Sequence, residues 1–178
     1  MSERTAYALT FVLKDRTGIV ADVTKVLYEN GFNIADSSST LLQGIFSMIL
    51  LVKHDNKMTI QEVGSLFTAV GLNPSVYEIS NYSAKASEQM NNFIISVYGA
   101  DKPGIVHHIT AKLYERKINI VDLQTQVAGK PPKEAYIMIL EVLAPMDAKE
   151  EEWIAVLKET ASEIGTDINI RRLETYEL

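Results

Sequence analysis

The sequence has no cysteine among its 178 residues. Disulfide bonds are therefore excluded, and so are thiolate nucleophiles and thiolate metal ligands. The absence fits a reducing compartment, and the N-terminus lacks the long apolar run of a signal peptide, so we expect a cytoplasmic protein. The longest apolar stretch, Met48 to Val52, is far too short to cross a bilayer, and we expect no contact with a membrane.

Basic residues are also few. The chain has 17 Lys and Arg against 23 Asp and Glu, for a formal net charge of −6. Non-specific binding to nucleic acid needs clustered basic side chains. The sequence shows no basic stripe, so we predict no direct contact with nucleic acid.

Catalytic motifs are missing as well. The chain lacks a nucleophile elbow, a phosphate-binding loop and a metalloprotease motif, which favours a non-enzymatic protein without a cofactor. His107 and His108 are neighbours in the sequence, and adjacent helix residues do not face one another. Because no spaced histidine completes a set of ligands, we expect no metal site.

The strongest feature that is present is an internal repeat. Residues 9–37 align without a gap on residues 95–123, an offset of 86, and eleven of the 29 positions are identical. Shared apolar patterning does not explain the Asp, Gly and Asn matches, which fall where segments change type. The identical pairs are Asp15/Asp101, Gly18/Gly104, Ile19/Ile105, Val20/Val106, Thr24/Thr110, Leu27/Leu113, Tyr28/Tyr114, Glu29/Glu115, Asn33/Asn119, Ile34/Ile120 and Asp36/Asp122.

The hydrophobic pattern of each copy predicts the order strand, helix, strand, strand, helix, strand. In the first copy, Thr59 and Glu62 have the spacing of a capping box at the start of a second helix that ends at Gly71. This order is that of the ferredoxin-like fold. We therefore predict an α+β protein of two tandem βαββαβ domains, each a four-stranded antiparallel sheet with two helices on one face. The predicted domains are 1–83 and 92–178, with a polar linker at 84–91.

The residues at the start of each copy resemble those of a known family. The stretch Asp15–Val20 with Asn33–Ile34 downstream resembles the ACT domain, and so does Asp101–Val106 with Asn119–Ile120. Two such domains with little else resemble the glycine cleavage system transcriptional repressor family. The resemblance implies a tandem ACT-domain protein that binds a small amino acid, glycine or serine first, and passes the signal to a protein partner.

The two copies depart from the family pattern in different ways. Thr17 stands where the ACT domain usually has proline, whereas Pro103 keeps it. The loop 128–133 of the second copy is also longer than the hairpin turn at Gln43–Gly44. The two sites therefore need not be equivalent.

The glycine loops suit an amino-acid ligand for a physical reason. A helix N-terminus offers unpaired N–H groups and a positive dipole end to a carboxylate, and glycine lets the backbone approach closely. A nearby Asp supplies negative charge for the ammonium group, and Asn carries both a donor and an acceptor. The predicted ligand-binding residues are Asp15, Gly18, Ile19, Asn33 and Ile34 in the first copy, and Asp101, Gly104, Ile105, Asn119 and Ile120 in the second.

Structural roles are open alternatives for the same residues. The glycines could serve a tight turn, Asp15 and Asp101 could cap their helices, and the asparagines could be turn residues leaving the helix. The sequence also leaves two placements for Asn33 and Asn119. Each lies beside its own glycine loop, or it lines a pocket across a domain or chain boundary.

These observations predict a non-enzymatic, amino-acid-sensing regulatory protein that acts on a transcription factor through protein contact. The alternative is a stand-alone ACT regulatory subunit of an amino-acid metabolic enzyme. The strand from Ile45 to Lys53 is apolar on both faces, which indicates that a partner covers the second face of the sheet. Free sheet edges invite further pairing, and we therefore expect a homodimer.

Overall fold

Both halves of the chain fold as β–α–β–β–α–β, the order that the repeat predicts. The computed structural model describes residues 5–79, 90–129 and 134–173. The chain divides into two compact units, residues 1–83 and 84–178. The elements of the first unit are β1 Thr5–Lys14, α1 Ile19–Glu29, β2 Asn33–Leu42, β3 Ile45–His54, α2 Ile60–Ser65 and β4 Ser75–Ile79.

The second unit repeats this order. The predicted linker lies outside the described residues except for its last two positions, Met90 and Asn91, which belong to β5. The polarity of the surrounding segment predicts a linker, but Asn91 pairs with Ala144 in the sheet, so the strand begins before its apolar stretch. The elements are β5 Met90–Gly99, α3 Ile105–Glu115, β6 Asn119–Ala128, β7 Ala135–Pro145, α4 Glu150–Glu163 and β8 Thr166–Arg172.

Each unit contains one four-stranded antiparallel sheet. The strand order is β2-β3-β1-β4 in the first unit and β6-β7-β5-β8 in the second. The pairing of the edge strand shifts register at the same place in both sheets, between Ile34 and Asp36 and between Ile120 and Asp122. The repeat is therefore preserved down to an irregularity of the edge strand.

One face of each sheet carries the core. Alternate residues of β1, among them Tyr7, Leu9 and Phe11, are buried against both helices of the first unit. Phe11 meets Phe67 edge-on with ring centroids 5.2 Å apart, and in the second unit Phe93 meets Trp153 at 5.0 Å. Both helices of a unit thus lie on one face, which confirms the predicted layers.

The second helix differs between the units. The capping box is present at Thr59 and Glu62, as predicted, but α2 ends at Ser65 and not at Gly71. The amides of Leu66 and Phe67 bond three residues back, at 3.3 Å each, so the chain tightens into a 3-10 turn. Gly64 lies just before this change, and its low helix propensity weakens the α-helix there. In contrast, α4 has 14 residues.

We predict that the aromatic pair of the second unit is a main source of its stability. Phe93 is 1% exposed, and Phe93→Ala is expected to lower the free energy of unfolding by about 3–5 kcal/mol because it leaves a cavity against Trp153. Urea unfolding followed by the fluorescence of Trp153, the single tryptophan, measures this. Met146→Ala is the control, since Met146 is 63% exposed; equal losses in both variants would contradict the prediction.

Candidate functional site

The two glycine loops have nearly the same backbone. Gly18 precedes α1 with φ 93° and ψ −2°, and Gly104 precedes α3 with φ 97° and ψ −11°. This left-handed conformation favours glycine, so the turn itself accounts for the residue type. Neither helix receives a hydrogen bond from a capping side chain, and the alternative that Asp15 and Asp101 act as caps is therefore wrong.

The first glycine loop packs against the hairpin between β2 and β3. The backbone N–H of Asp15 donates to the carbonyl oxygen of Gly44 at 2.9 Å. The end of the sheet therefore brings together the β1–α1 loop and the hairpin turn. The sequence did not indicate this contact, because the two segments are far apart in the chain.

The structure does not bring the asparagines to their own glycine loops. Asn33 begins β2 beyond the C-terminal end of α1, and Asn119 has the same position after α3. A helix of 11 residues is about 16 Å long, so this length separates Gly18 from Asn33 within one unit. The structure therefore excludes the first of the two placements, in which each asparagine lies beside the glycine loop of its own unit.

The predicted isoleucines divide into core and surface. Ile19 and Ile105 are 2% and 3% exposed and belong to the hydrophobic cores, so only their backbone N–H groups are available to a ligand. Ile34 is 39% exposed, whereas its counterpart Ile120 is half-buried.

An ion pair closes the first glycine loop. The Arg16 guanidinium donates to the Asp22 carboxylate at 2.7 Å and to the carbonyl oxygen of Thr17 at 3.3 Å. Both charged side chains are more than one third exposed, so solvent screening limits the pair to roughly 0–1 kcal/mol. The pair places a carboxylate beside the first turn of α1, which is unfavourable for a second carboxylate.

The second glycine loop has no acidic side chain in the first helical turn. His108 stands where the repeat places Asp22, and a Cβ added to Gly104 would lie 3.4 Å from its imidazole ring. The ammonium group of Lys102 lies against the turn before β8, 3.3 Å from the position of a Cβ on Gly165. The first turn of α3 thus lacks the carboxylate that stands in the first turn of α1, and the dipole of the helix favours an anion at its N-terminus.

Tyr136 pairs with Gly99, the last residue of β5 before the second glycine loop. It is 9% exposed at the start of β7, and the register places Phe46 at the equivalent position in the first unit. Burial raises the pKa of Tyr136, a hydrogen bond with Thr125 lowers it, and the charge of nearby Asp101 raises it further; the net direction is upward. The sequence alignment missed this residue because the longer hairpin of the second copy shifts its register.

Two cavities lie beside α2 and β4. The first has a volume of about 320 Å³ and is lined by residues that include Ile60, Gly64 and Val76. The second has a volume of about 600 Å³ and is lined by residues that include Ile60 and Glu78. Neither is lined by a residue of a glycine loop. Within residues 5–79, 90–129 and 134–173, three or more His, Asp or Glu side chains nowhere group as a metal site would require.

None of the helices in the described part of the chain has the length and apolarity needed to span a membrane.

Comparison with known proteins identifies the family. The sequence profile of the ACT domain matches residues 7–57 and 93–152, one segment in each unit and more than half of the chain together. The chain therefore belongs to the ACT domain family, a family of regulatory domains, and carries two copies.

Three relatives each match about half of the chain or less. A UPF0237 protein of Methanococcus maripaludis is 34% identical over 89 residues, 49% of this chain and 94% of the relative. A UPF0237 protein of Streptococcus pneumoniae is 38% identical over 84 residues, 47% of this chain and 94% of the relative. For a UPF0237 protein of Methanocaldococcus jannaschii the match is 54% over 43 residues, so the chain spans only 48% of that relative.

Two solved structures match both units. A protein of unknown function from Galdieria sulphuraria superposes with a TM-score of 0.84 at 27% identity, covering 97% of this chain and 100% of the other. A protein described as a glycine cleavage system transcriptional repressor superposes with a TM-score of 0.74 at 16% identity, covering 98% and 100%. The second likeness shows the shared tandem fold alone.

We predict that Tyr136 makes the second unit sensitive to alkali. Below pH ~10 the hydroxyl is protonated in both the folded and the unfolded state, so its full contribution to the free energy of unfolding is present. As the pH rises further, the unfolded state loses this proton first, and the free energy of unfolding falls. Tyr136→Phe is therefore expected to flatten this decline in urea titrations followed by Trp153. Tyr98→Phe, at a 43% exposed tyrosine, is the control; an unchanged slope in Tyr136→Phe would contradict the prediction.

Proposed function

We propose that this protein is a regulatory amino-acid sensor without catalytic activity, which acts on a transcription factor through protein contact. The observation that carries the proposal is the presence of two ACT units, each with a left-handed glycine that opens the N-terminus of its first helix. Unpaired N–H groups at such an end suit the carboxylate of an amino acid. The alternative, a regulatory subunit of a metabolic enzyme, differs only in the partner that receives the signal.

The proposed ligand is a small amino acid, with glycine and serine as the first candidates. Its carboxylate lies against the N–H groups that follow Gly104 or Gly18, and Asp101 or Asp15 supplies charge for its ammonium group. The surroundings favour the second loop, because Arg16 and Asp22 already pair at the first.

We also propose that the protein acts as a homodimer. Asn33 and Asn119 lie at the far ends of α1 and α3, so they do not complete a ligand site within their own unit, and we propose that another chain supplies them. Binding that spans two chains couples ligand concentration to assembly, which a sensor requires.

We predict that glycine or serine binds to the purified protein and that Gly104→Val weakens binding at least about 10-fold. The added side chain blocks the approach of the ligand to the backbone. Isothermal titration calorimetry with both amino acids measures the affinity. Gly18→Val is expected to have the smaller effect, because the ion pair already occupies the first loop.

The matched control is Gly71→Val. Gly71 has φ 70° and no atom within 4 Å of an added Cβ, so this variant carries a comparable backbone strain away from both loops. Thermal unfolding of all three variants separates strain from loss of binding. Equal affinity in Gly104→Val, Gly18→Val and the wild type would place the ligand elsewhere.

We predict no tight binding to duplex DNA at physiological salt. The formal charge of −6 opposes the phosphate contacts that supply most of the affinity of DNA-binding proteins. An electrophoretic mobility shift assay at submicromolar protein tests this. A shifted band that weakens steeply with salt would contradict regulation through protein contact alone.

A further inference from the structure

The outer side of β4 forms one edge of the first sheet. In the part of the chain that the structure describes, β4 pairs with β1 alone. Its five residues, Ser75–Ile79, are exposed or half-buried. The edge of a sheet presents a row of backbone N–H and C=O groups, and it is therefore a template for a further strand.

The two cavities of the first unit lie along this edge strand. The smaller cavity, of about 320 Å³, is lined by Val76, and the larger, of about 600 Å³, is lined by Glu78. Residues of α2 line the other side of both cavities, and Ile60 and Gln61 are common to the two. The cavities therefore form one groove between α2 and β4, which is called the edge groove below.

The spacing of the two cavities is that of an extended chain. Val76 and Glu78 are two residues apart, and alternate residues of a strand point to the same face at intervals of about 7 Å. Both belong to the face that carries the helices, since they pair with the buried residues Leu9 and Tyr7 of β1. A strand added along β4 would thus direct its side chains i and i+2 into the two cavities.

A glycine in α2 keeps the smaller cavity open. Gly64 lines this cavity, and a Cβ added to it would lie 3.7 Å from a methyl group of Val76. That distance is an ordinary contact, so close packing does not require glycine here. Glycine is also unfavourable inside a helix, so helix stability does not explain it either. A larger side chain at this position would occupy part of the edge groove.

The lining of each cavity indicates which side chains fit it. Ser65, Thr68 and Asn73 supply hydroxyl and amide groups to the smaller cavity, which suits the hydroxyl group of a serine or threonine. The larger cavity combines the apolar side chain of Met58 with the carboxylate of Glu78. This combination suits a long side chain that has an aliphatic stem and a cationic head.

Glu78 already has a cationic partner, but this partner is easily displaced. The ammonium group of Lys57 lies 2.7 Å from the carboxylate of Glu78, and the side chain of Lys57 is 70% exposed, against 34% for Glu78. Exposed ion pairs contribute little to stability, so an incoming guanidinium replaces the lysine at small cost. Arginine also binds a carboxylate through two parallel hydrogen bonds, which an ammonium group does not offer. The larger cavity therefore favours arginine.

We infer that the edge groove binds an extended segment of a protein partner, which pairs with β4 and places an arginine and, two residues away, a serine or threonine in the two cavities. In recognition by strand addition, backbone hydrogen bonds supply affinity and the pockets for alternate side chains supply specificity. The inference rests on the proposed function only in that this segment belongs to the partner that receives the signal. The edge groove shares no residue with the glycine loops, so an amino acid and the partner bind at separate places.

A phage-displayed library of random heptapeptides tests the inference on the full chain. Selection on the wild type should enrich sequences that contain arginine and a serine or threonine two positions apart. A fluorescein-labelled heptapeptide of the enriched sequence then gives the affinity by fluorescence anisotropy. Gly64→Leu should raise its dissociation constant at least about 10-fold, because the added side chain fills the smaller cavity.

The matched control for Gly64→Leu is Ala155→Leu. Ala155 is exposed on α4, so this variant adds an apolar side chain to a helix of the other unit and should leave the affinity unchanged. Leucine is favourable inside a helix, and circular dichroism of both variants verifies the fold.

Two charge variants test the larger cavity. Glu78→Gln should weaken binding of the heptapeptide at least about 10-fold, because it removes the charged acceptor of the arginine. Lys57→Ala should strengthen binding, about 2- to 3-fold, because it removes the cation that competes for Glu78. A purely structural role of the ion pair predicts the same direction for both variants.

Nuclear magnetic resonance locates the peptide. Its addition should shift the amide signals of Ser75–Ile79 and slow their hydrogen exchange, while the signals of Gly18 and Gly104 stay in place. Exchange at β4 that slows with protein concentration in the absence of peptide would instead show that a second copy occupies the edge, and would overturn the inference.

Other results would overturn it as well: a library without an enriched sequence, a peptide whose affinity is the same in Gly64→Leu as in the wild type, or weaker binding in Lys57→Ala. Calorimetry with glycine and serine separates these failures from a failure of the proposed function. A chain that binds an amino acid but no peptide contradicts the edge groove alone. A chain that binds the peptide at β4 and no amino acid contradicts the sensor alone.

Discussion

The backbone of a single glycine in each unit determines how the chain passes from the central strand into the first helix. Gly18 and Gly104 take the left-handed conformation, which L-residues with a side chain adopt only at a cost. This turn lets the chain leave the central strand and enter a helix at once. It directs Ile19 and Ile105 into the cores and leaves the first N–H groups of the helix unpaired at the surface. A structural requirement of the turn and a surface suited to a carboxylate therefore have the same origin.

The duplicated backbone supports two different local environments. The first loop contains its own ion pair between Arg16 and Asp22. In the second loop, His108 replaces the aspartate, and Tyr136 pairs with Gly99 just before the loop. The two ACT units have thus kept the same glycine turn while the charged side chains around it differ.

Each unit covers only part of the surface that its elements create. The edge strand β2 is exposed along all ten of its residues, because α1 packs over the central strands and does not reach it. The outward side of α1 carries an exposed tyrosine, as does that of α3. In a small two-layer unit, two helices cover only part of one face of a four-stranded sheet, and their own outward sides face solvent.

The sequence by itself determined the repeat, the order of elements, the layer arrangement and the positions of Gly18 and Gly104, because each depends on local periodicity or on a residue type that one backbone conformation demands. It also located the capping box at Thr59. Tertiary structure decided what depends on distance between remote segments. It separated Asn33 from Gly18 by the length of α1, shortened α2, and brought Tyr136 toward Asp101. These outcomes follow from strand pairing and helix length. The residue pattern of a single segment does not encode its distance in space from another segment.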